Sequence, residues 1–432
     1  MSAAVGRLQR AMNEWIDWII VGALLAGSVF FLFPKVRYAW AYLIVGALVL
    51  LRGRLKRAFF ERTSLDAPIG VLVFLAMVTG FTSSEVSSSF GKIAGVLFGV
   101  LLYYAALAVM KTEEFIRLGI YALILGAVTF ALVGVVDSDL YPELWFSRDL
   151  LAVLHVPTYR WGLPGAENGV SPNALAGGLL LATPLSLFAF VAGGRPLNAR
   201  AGGWNLEGVV LFASSAVLVA VIFLSQSYAA WVALPLVVWL FGLKLRWKAI
   251  SLAAMLLMIA TIYAAPSLRE SLTPTRASGS IQTKFENRYP FWQKGIRTVL
   301  KSPVVGVGLN RLHDEPGIGY ANAHAHNQFI TTGAELGVAG LVAYVATLIG
   351  AAWISWDVAR RARVSWMRTA ARGLAAGQAA FLIFGIGDAI PLGAKLGVLF
   401  WISLALLAAM HAFTAREGLL SSGPATGVVD LA

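Results

Sequence analysis

The chain has no cysteine in its 432 residues, which excludes disulfides, thiolate nucleophiles and cysteine-based metal sites. It is also poor in charge. Asp, Glu, Lys and Arg make up 13% of it, against about 25% in an average soluble domain. Hydrophobic residues reach 58% and the mean hydropathy is +0.75, so soluble and secreted readings are excluded. The sequence lacks a phosphate-cradling Gly-x4-Gly-Lys-Ser/Thr loop, a His-Glu-x-x-His helix and a Gly-x-Ser-x-Gly elbow. Its Asp-x-Asp, Asp137-Ser-Asp139, falls on the expected outer side rather than in a cytoplasmic loop. Nucleotide-driven and metal-dependent mechanisms lose ground accordingly.

What remains is a succession of apolar runs near the ~20 residues that cross a bilayer. Such runs are helical, because backbone groups in lipid must be satisfied within the segment. The expected fold is therefore an all-α polytopic membrane protein with about twelve transmembrane helices. The spans are Trp15–Phe33, Tyr38–Leu51, Ala67–Thr82, Ile93–Met110, Leu118–Val136, Ala174–Val191, Val209–Leu224, Tyr228–Leu243, Ile250–Ala265, Leu336–Trp356, Gly373–Ile386 and Leu396–Phe413. The first follows Arg7 and Arg10 without a cleavage site and reads as a retained signal anchor. Residues 209–243, broken only by Ser225-Gln226-Ser227, are long for one span and short for two, so a tilted or partly re-entrant hairpin is expected.

Loop charges set the orientation. Arg52/Arg54/Lys56/Arg57/Arg62, Lys111/Arg117, Arg195/Arg200, Lys244/Arg246/Lys248 and Arg360/Arg361/Arg363/Arg368/Arg372 all fall on one side. Basic residues favour the cytoplasmic side, so both termini are expected there. The same rule accounts for the net charge of +12 without nucleic acid. The chain then divides into helices 1–9 (1–265, with an outer loop at about 137–173), a large outer loop containing short helices (266–325), and three last spans with a cytoplasmic tail (326–432).

That large loop breaks the charge pattern, carrying Arg269, Arg276, Lys284, Arg288, Lys294, Arg297, Lys301 and Arg311 against four acidic residues. A solvated loop would explain it; so would a site for phosphate-bearing lipid. Pro290–Lys301 reads as an amphipathic helix with Pro in its first turn. Lys294, Arg297 and Lys301 lie along one face of it, Phe291, Trp292 and Ile296 along much of the rest, as at a membrane surface. Three of the five histidines, His313, His324 and His326, lie close together where the loop re-enters the membrane. A histidine there can take a proton from a sugar hydroxyl near neutral pH. It can also cap a helix, and a His-x-His pair can hold zinc, although no cysteine and few acids stand by to complete that site. Tyr159–Gly165 and Ser171-Pro172-Asn173 form a second outer segment, in which Asn173 fits a cap or a substrate contact and Arg160 an anion or the interface. Asp388 and Lys395, seven apart at an outer turn, fit a structural pair.

Two stretches together resemble the O-antigen ligase and polymerase superfamily. One is Arg288-Tyr-Pro-Phe-Trp292 through Ser302-Pro303-Val-Val-Gly306-Val-Gly308-Leu-Asn310. The other is His324-Ala-His326-Asn327-Gln328 through Glu335-Leu-Gly337. Pro172-Asn173 resembles a further element of that family, and the likeness covers about a third of the chain. It implies a GT-C-like glycosyltransferase of the bacterial inner membrane, active at the periplasmic face, using an undecaprenyl-diphosphate-linked glycan as donor and no cofactor. Carried over, His326 is the general base with His324 in support, and Arg288 is the diphosphate partner. Arg297, Lys294, Arg160, Trp292, Asn327 and Asn173 are substrate-side candidates. Ser225-Gln-Ser227-Tyr228 departs from the family's Ser-x-Ser-Arg, leaving Arg160 or Arg297 as substitutes for the missing cation.

The resulting expectation is an O-antigen ligase, inverting and metal-independent, that transfers polysaccharide to a hydroxyl of lipid A-core among membrane lipids. The alternatives are a polymerase using the same donor, a flippase or transporter of lipid-linked glycan, and a non-catalytic assembly partner.

Overall fold

A computed structural model describes residues 15–32, 36–57, 62–82, 86–137, 170–192, 206–225, 227–242, 248–253, 256, 281–315, 324–394 and 397–421. All regular structure among them is helical. In chain order the helices used below are α1 (Trp15–Ala26), α2 (Ser28–Leu32), α3 (Ala39–Lys56), α4 (Asp66–Thr82), α5 (Val86–Val109), α6 (Glu113–Asp137), α7 (Pro172–Leu179), α8 (Thr183–Val191), α9 (Leu206–Leu224), α10 (Tyr228–Phe241), α11 (Ile281–Lys301), α12 (Gln328–Arg361), α13 (Ser365–Gly387) and α14 (Gly397–Ser421).

Seven described helices are long and apolar enough to cross a membrane, eight if the bent pair α7–α8 counts as one span. Three shorter apolar helices, Trp15–Ala26, Asp66–Phe81 and Tyr228–Phe241, fall below that length. The expected span at Ile250–Ala265 lies largely outside the described residues. The uncertain stretch 209–243 resolves into two helices, α9 and α10, separated at Ser225–Ser227, with α9 starting at Leu206 and gaining length from it. Large apolar side chains face outward as well as inward: Leu43 is 69% exposed, Phe74 65% and Ile349 64%. Only lipid can cover such an outer surface without cost. Inside, one continuous apolar cluster runs from Ile16 to Met410 through nearly every helix.

The bundle has two unlike ends. At one, Arg52 and Lys56 meet Asp17, the Trp366 indole donates to Glu113, and the Arg416 guanidinium donates to the Lys111 carbonyl. Arg52, Lys56, Lys111 and Arg416 gather there. At the other end converge the starts of α5, α7, α10 and α12, the end of α13, and α11.

α11 differs from its expected form. It begins at Ile281, not Pro290, and Pro290 sits within it. Proline removes one ladder hydrogen bond, and the exposed position of Pro290 lets solvent meet the freed carbonyl.

α12 is broken. At Gly337 the backbone takes φ 72°, ψ −179°, a combination open essentially to glycine alone. The break leaves helix groups without their usual partners, and the turn after α11 supplies them. Val307 N–H donates to the Ala334 carbonyl (2.9 Å), Gly308 N–H to the Glu335 carbonyl (3.0 Å), and Val338 N–H to the Pro303 carbonyl (2.7 Å). Gly306 has φ +69° and touches this break so closely that a Cβ would fall 2.4 Å from the Glu335 carbonyl. The Pro-x-x-Gly-x-Gly and Glu-x-Gly motifs are thus two halves of one backbone joint.

Candidate active site

His326 stands just before α12. Asn327 caps that helix, its Oδ1 accepting the Phe329 and Ile330 N–H groups at 3.0 Å each, and its Nδ2 donates to the Ile386 carbonyl at the end of α13. This cap joins two helix ends and places the residue before it against the residue that follows α13. That residue is Asp388. His326 Nδ1 lies 3.1 Å from Asp388 Oδ1. The carboxylate accepts a proton on Nδ1, so the imidazole carries its lone pair on Nε2.

Asp388 is the hub of the cluster. It is 5% exposed and also faces Arg288 Nη2 at 3.8 Å and His324 Nδ1 at 4.0 Å. Burial alone would raise its pKa; the His326 hydrogen bond, the neighbouring imidazoles and the Arg288 guanidinium reverse this and hold it below the usual value. Asp388 is therefore a carboxylate at neutral pH. His324 goes the other way. Burial lowers its pKa to about 4 despite the pull of Asp388, so it stays neutral. Its Nδ1 accepts the His326 N–H at 3.2 Å, and the two rings meet edge to face at 4.8 Å. His326 adopts φ 50°, an uncommon conformation for a non-glycine residue and typical of functional sites. Its carbonyl accepts the Trp292 indole N–H at 3.4 Å, and Phe291 lies edge-on to its ring at 5.8 Å.

The structure sorts the sequence candidates. It brings His326, His324, Arg288 and Trp292 together. Asn327 is engaged as a helix cap, and Asn173 lies in α7, whose capping position is Ser171. Arg288 and Arg297 part company: Arg288 faces Asp388, whereas Arg297 is exposed on the opposite side of α11. Lys294 is half-buried, and Lys301 binds Glu315 at 3.2 Å. Arg160 and Lys395 lie outside the described residues. Asp388, read from sequence as fitting a structural pair with Lys395, joins the histidines. Lys92, at the start of α5, was not singled out by sequence, yet its charge acts on His324. No spacing signal marked it, since nearly 200 residues or more separate it from the other groups.

His324, His326 and Asp388 offer three ligand atoms within 4.8 Å of one another, a set able to hold a metal ion such as zinc. The same atoms are already bonded to each other, so a metal and the His326–Asp388 pair compete for them. Two apolar cavities, of about 190 and 530 Å³, lie between membrane-embedded helices, and none of these residues lines either.

What the cluster can do follows from its parts. A neutral imidazole oriented by a carboxylate accepts a proton from an attacking hydroxyl. A guanidinium beside it meets developing negative charge on a phosphate leaving group.

In a comparison with protein families, residues 213–345 match the O-Antigen ligase model. That stretch includes α10, α11, the Gly306–Gly337 joint and both histidines, and ends before Asp388. No match was found among curated proteins. The match over residues 213–345, about a third of the chain, supports a place in the O-antigen ligase/polymerase superfamily.

Proposed function

We propose that the chain is an O-antigen ligase that moves a polysaccharide from undecaprenyl diphosphate onto a hydroxyl of lipid A-core at the periplasmic face of a bacterial inner membrane. The reading includes about twelve spans in a GT-C-like arrangement, with both termini cytoplasmic. The observation that carries it is the His326–Asp388–Arg288 cluster at the bundle end opposite Arg52, Lys56, Lys111 and Arg416. The acceptor oxygen attacks the anomeric carbon as its proton passes to His326 Nε2. The bond from that carbon to the diphosphate breaks, and the electron pair leaves with undecaprenyl diphosphate, whose charge Arg288 meets. A single displacement inverts the anomeric centre. The donor already carries its leaving group, so neither a nucleotide nor a metal need take part.

The decisive experiment reconstitutes wild type, His326→Ala and Arg288→Ala with lipid-linked glycan and lipid A-core in EDTA. Transfer by wild type and its loss in both folded variants supports the reading; a requirement of wild type for divalent metal counts against it. Deletion of the gene separates ligase from polymerase. Long undecaprenyl-linked polysaccharide beside bare core is the ligase outcome, and core bearing a single repeat is the polymerase outcome. A cysteine placed at 326 should react with impermeant reagents from the periplasm; labelling only from the cytosol removes the assigned substrate.

A further inference from the structure

The base and the guanidinium sit on different helices, and little apolar packing holds those helices together. α11 meets α12 through a small cluster of Leu312, Ala325 and Ala334, with Phe291, Val299 and Ile330 against it. Gly295 allows the close approach: a Cβ there would fall 2.4 Å from Ile330 Cγ2. Beyond this contact and the Trp292 and Phe291 contacts to His326, the two helices are joined by the backbone joint at Gly337. Two side chains take part in that joint, one being the Ser302 hydroxyl, which donates to the Gly306 carbonyl at 2.7 Å. Glu335, 2% exposed, accepts the Asn310 N–H through Oε1 at 3.0 Å, while its own carbonyl takes the Gly308 N–H. Asn310 has φ +61°, so the backbone turns sharply at the point where the carboxylate holds it.

A buried acid needs a reason and a partner. Its partner is the hydrogen-bonded turn, and the Lys92 ammonium acts on Glu335 as well as on His324. Lys92 is itself fixed, because α5 packs against the 391–394 turn beyond Asp388. A Cβ on Gly393 would fall 2.1 Å from the Lys92 carbonyl.

We propose that Glu335 is a positioning residue: by holding Asn310 against the break in α12 it fixes the spacing between Arg288 on α11 and His326 before α12. The proposal rests on the transferase reading above for its effect on activity, though not for its effect on geometry. Glu335 touches neither reacting atom. It closes the joint, and the joint sets the angle of α11 over the His326–Asp388 pair.

The absence of native cysteine makes the test direct. Spin labels at Leu300→Cys on α11 and Ile349→Cys on α12, both exposed positions, report the α11–α12 distance by double electron–electron resonance in nanodiscs. Glu335→Ala should broaden that distance distribution and lower kcat for glycan transfer about tenfold, the cost of leaving one buried backbone donor without its acceptor. Glu335→Gln keeps an acceptor oxygen and should keep the narrow distribution. Lys92→Met with Glu335→Gln removes the Lys92 charge as well and should likewise keep the narrow distribution. Three results overturn the proposal: an unchanged distribution in Glu335→Ala, a broadened one with undiminished transfer, or failure of both Gln-bearing variants to restore the narrow form. Absence of transfer by wild type would instead remove the functional reading and leave the distance measurement to judge the joint.

Discussion

Asp388→Asn tests the site most sharply, because it removes a charge and leaves the shape. In the resting cluster the carboxylate lies 3.1 Å from His326 Nδ1 and is 5% exposed. When His326 takes the acceptor's proton it becomes an imidazolium at that distance. Such a pair is worth about 5 kcal/mol at an effective dielectric of ~20. That is a ceiling, since Arg288 stands 3.8 Å from the other carboxylate oxygen and offsets part of the charge. With half of it surviving, kcat falls roughly 100-fold. Asparagine also offers an N–H where the carboxylate accepted one, favouring the tautomer with its lone pair on Nδ1, so the loss should lie at about 10²–10³-fold. Initial rates of transfer at saturating donor, on protein of unchanged melting temperature, give the measurement. A kcat within about threefold of wild type would refute the idea that Asp388 orients and stabilises the base.

His324 makes the fold sensitive to acid. Its pKa is held near 4 in the folded chain and returns to about 6.5 on unfolding, so the unfolded chain binds the extra proton between those values. Stability is fully present above pH ~6.5 and falls as the pH drops towards 4. The melting temperature of wild type should therefore decline across that window more steeply than that of His324→Gln, and equal slopes would exclude the histidine as the cause. Gly337→Ala places a Cβ 2.3 Å from the Val304 carbonyl at a backbone conformation alanine resists. It should cost more than about 2 kcal/mol and show as a lowered melting temperature or loss of folded protein. Added Zn²⁺ should inhibit transfer by drawing on His324, His326 and Asp388, with recovery on chelation and a weakened effect in His324→Gln.

Much of this was legible in the sequence. Low charge and long apolar runs specify membrane helices, since lipid offers no partner to an open backbone. Helix boundaries moved where flanking polar residues continued a helix, as at α9, or where a proline was tolerated inside one, as in α11. The His-x-His-Asn run was visible because one short segment contains it, and Asn327 acts through its nearest neighbours. The glycines of the joint were visible as a motif, without their purpose.

The sequence by itself determined the solvent this protein folds in, the helical answer to that solvent, and which histidine and arginine stand as candidate base and candidate phosphate partner among few polar groups. The tertiary structure alone decided which groups meet. Asp388 comes from the end of α13, Lys92 from the start of α5, and Glu335 is the eighth residue of α12; none stands at a readable spacing from His326. Helical periodicity reaches a few turns along one helix. Proximity between the ends of different helices depends on how those helices pack, and here that depends on the Gly337 break and the turn that fills it.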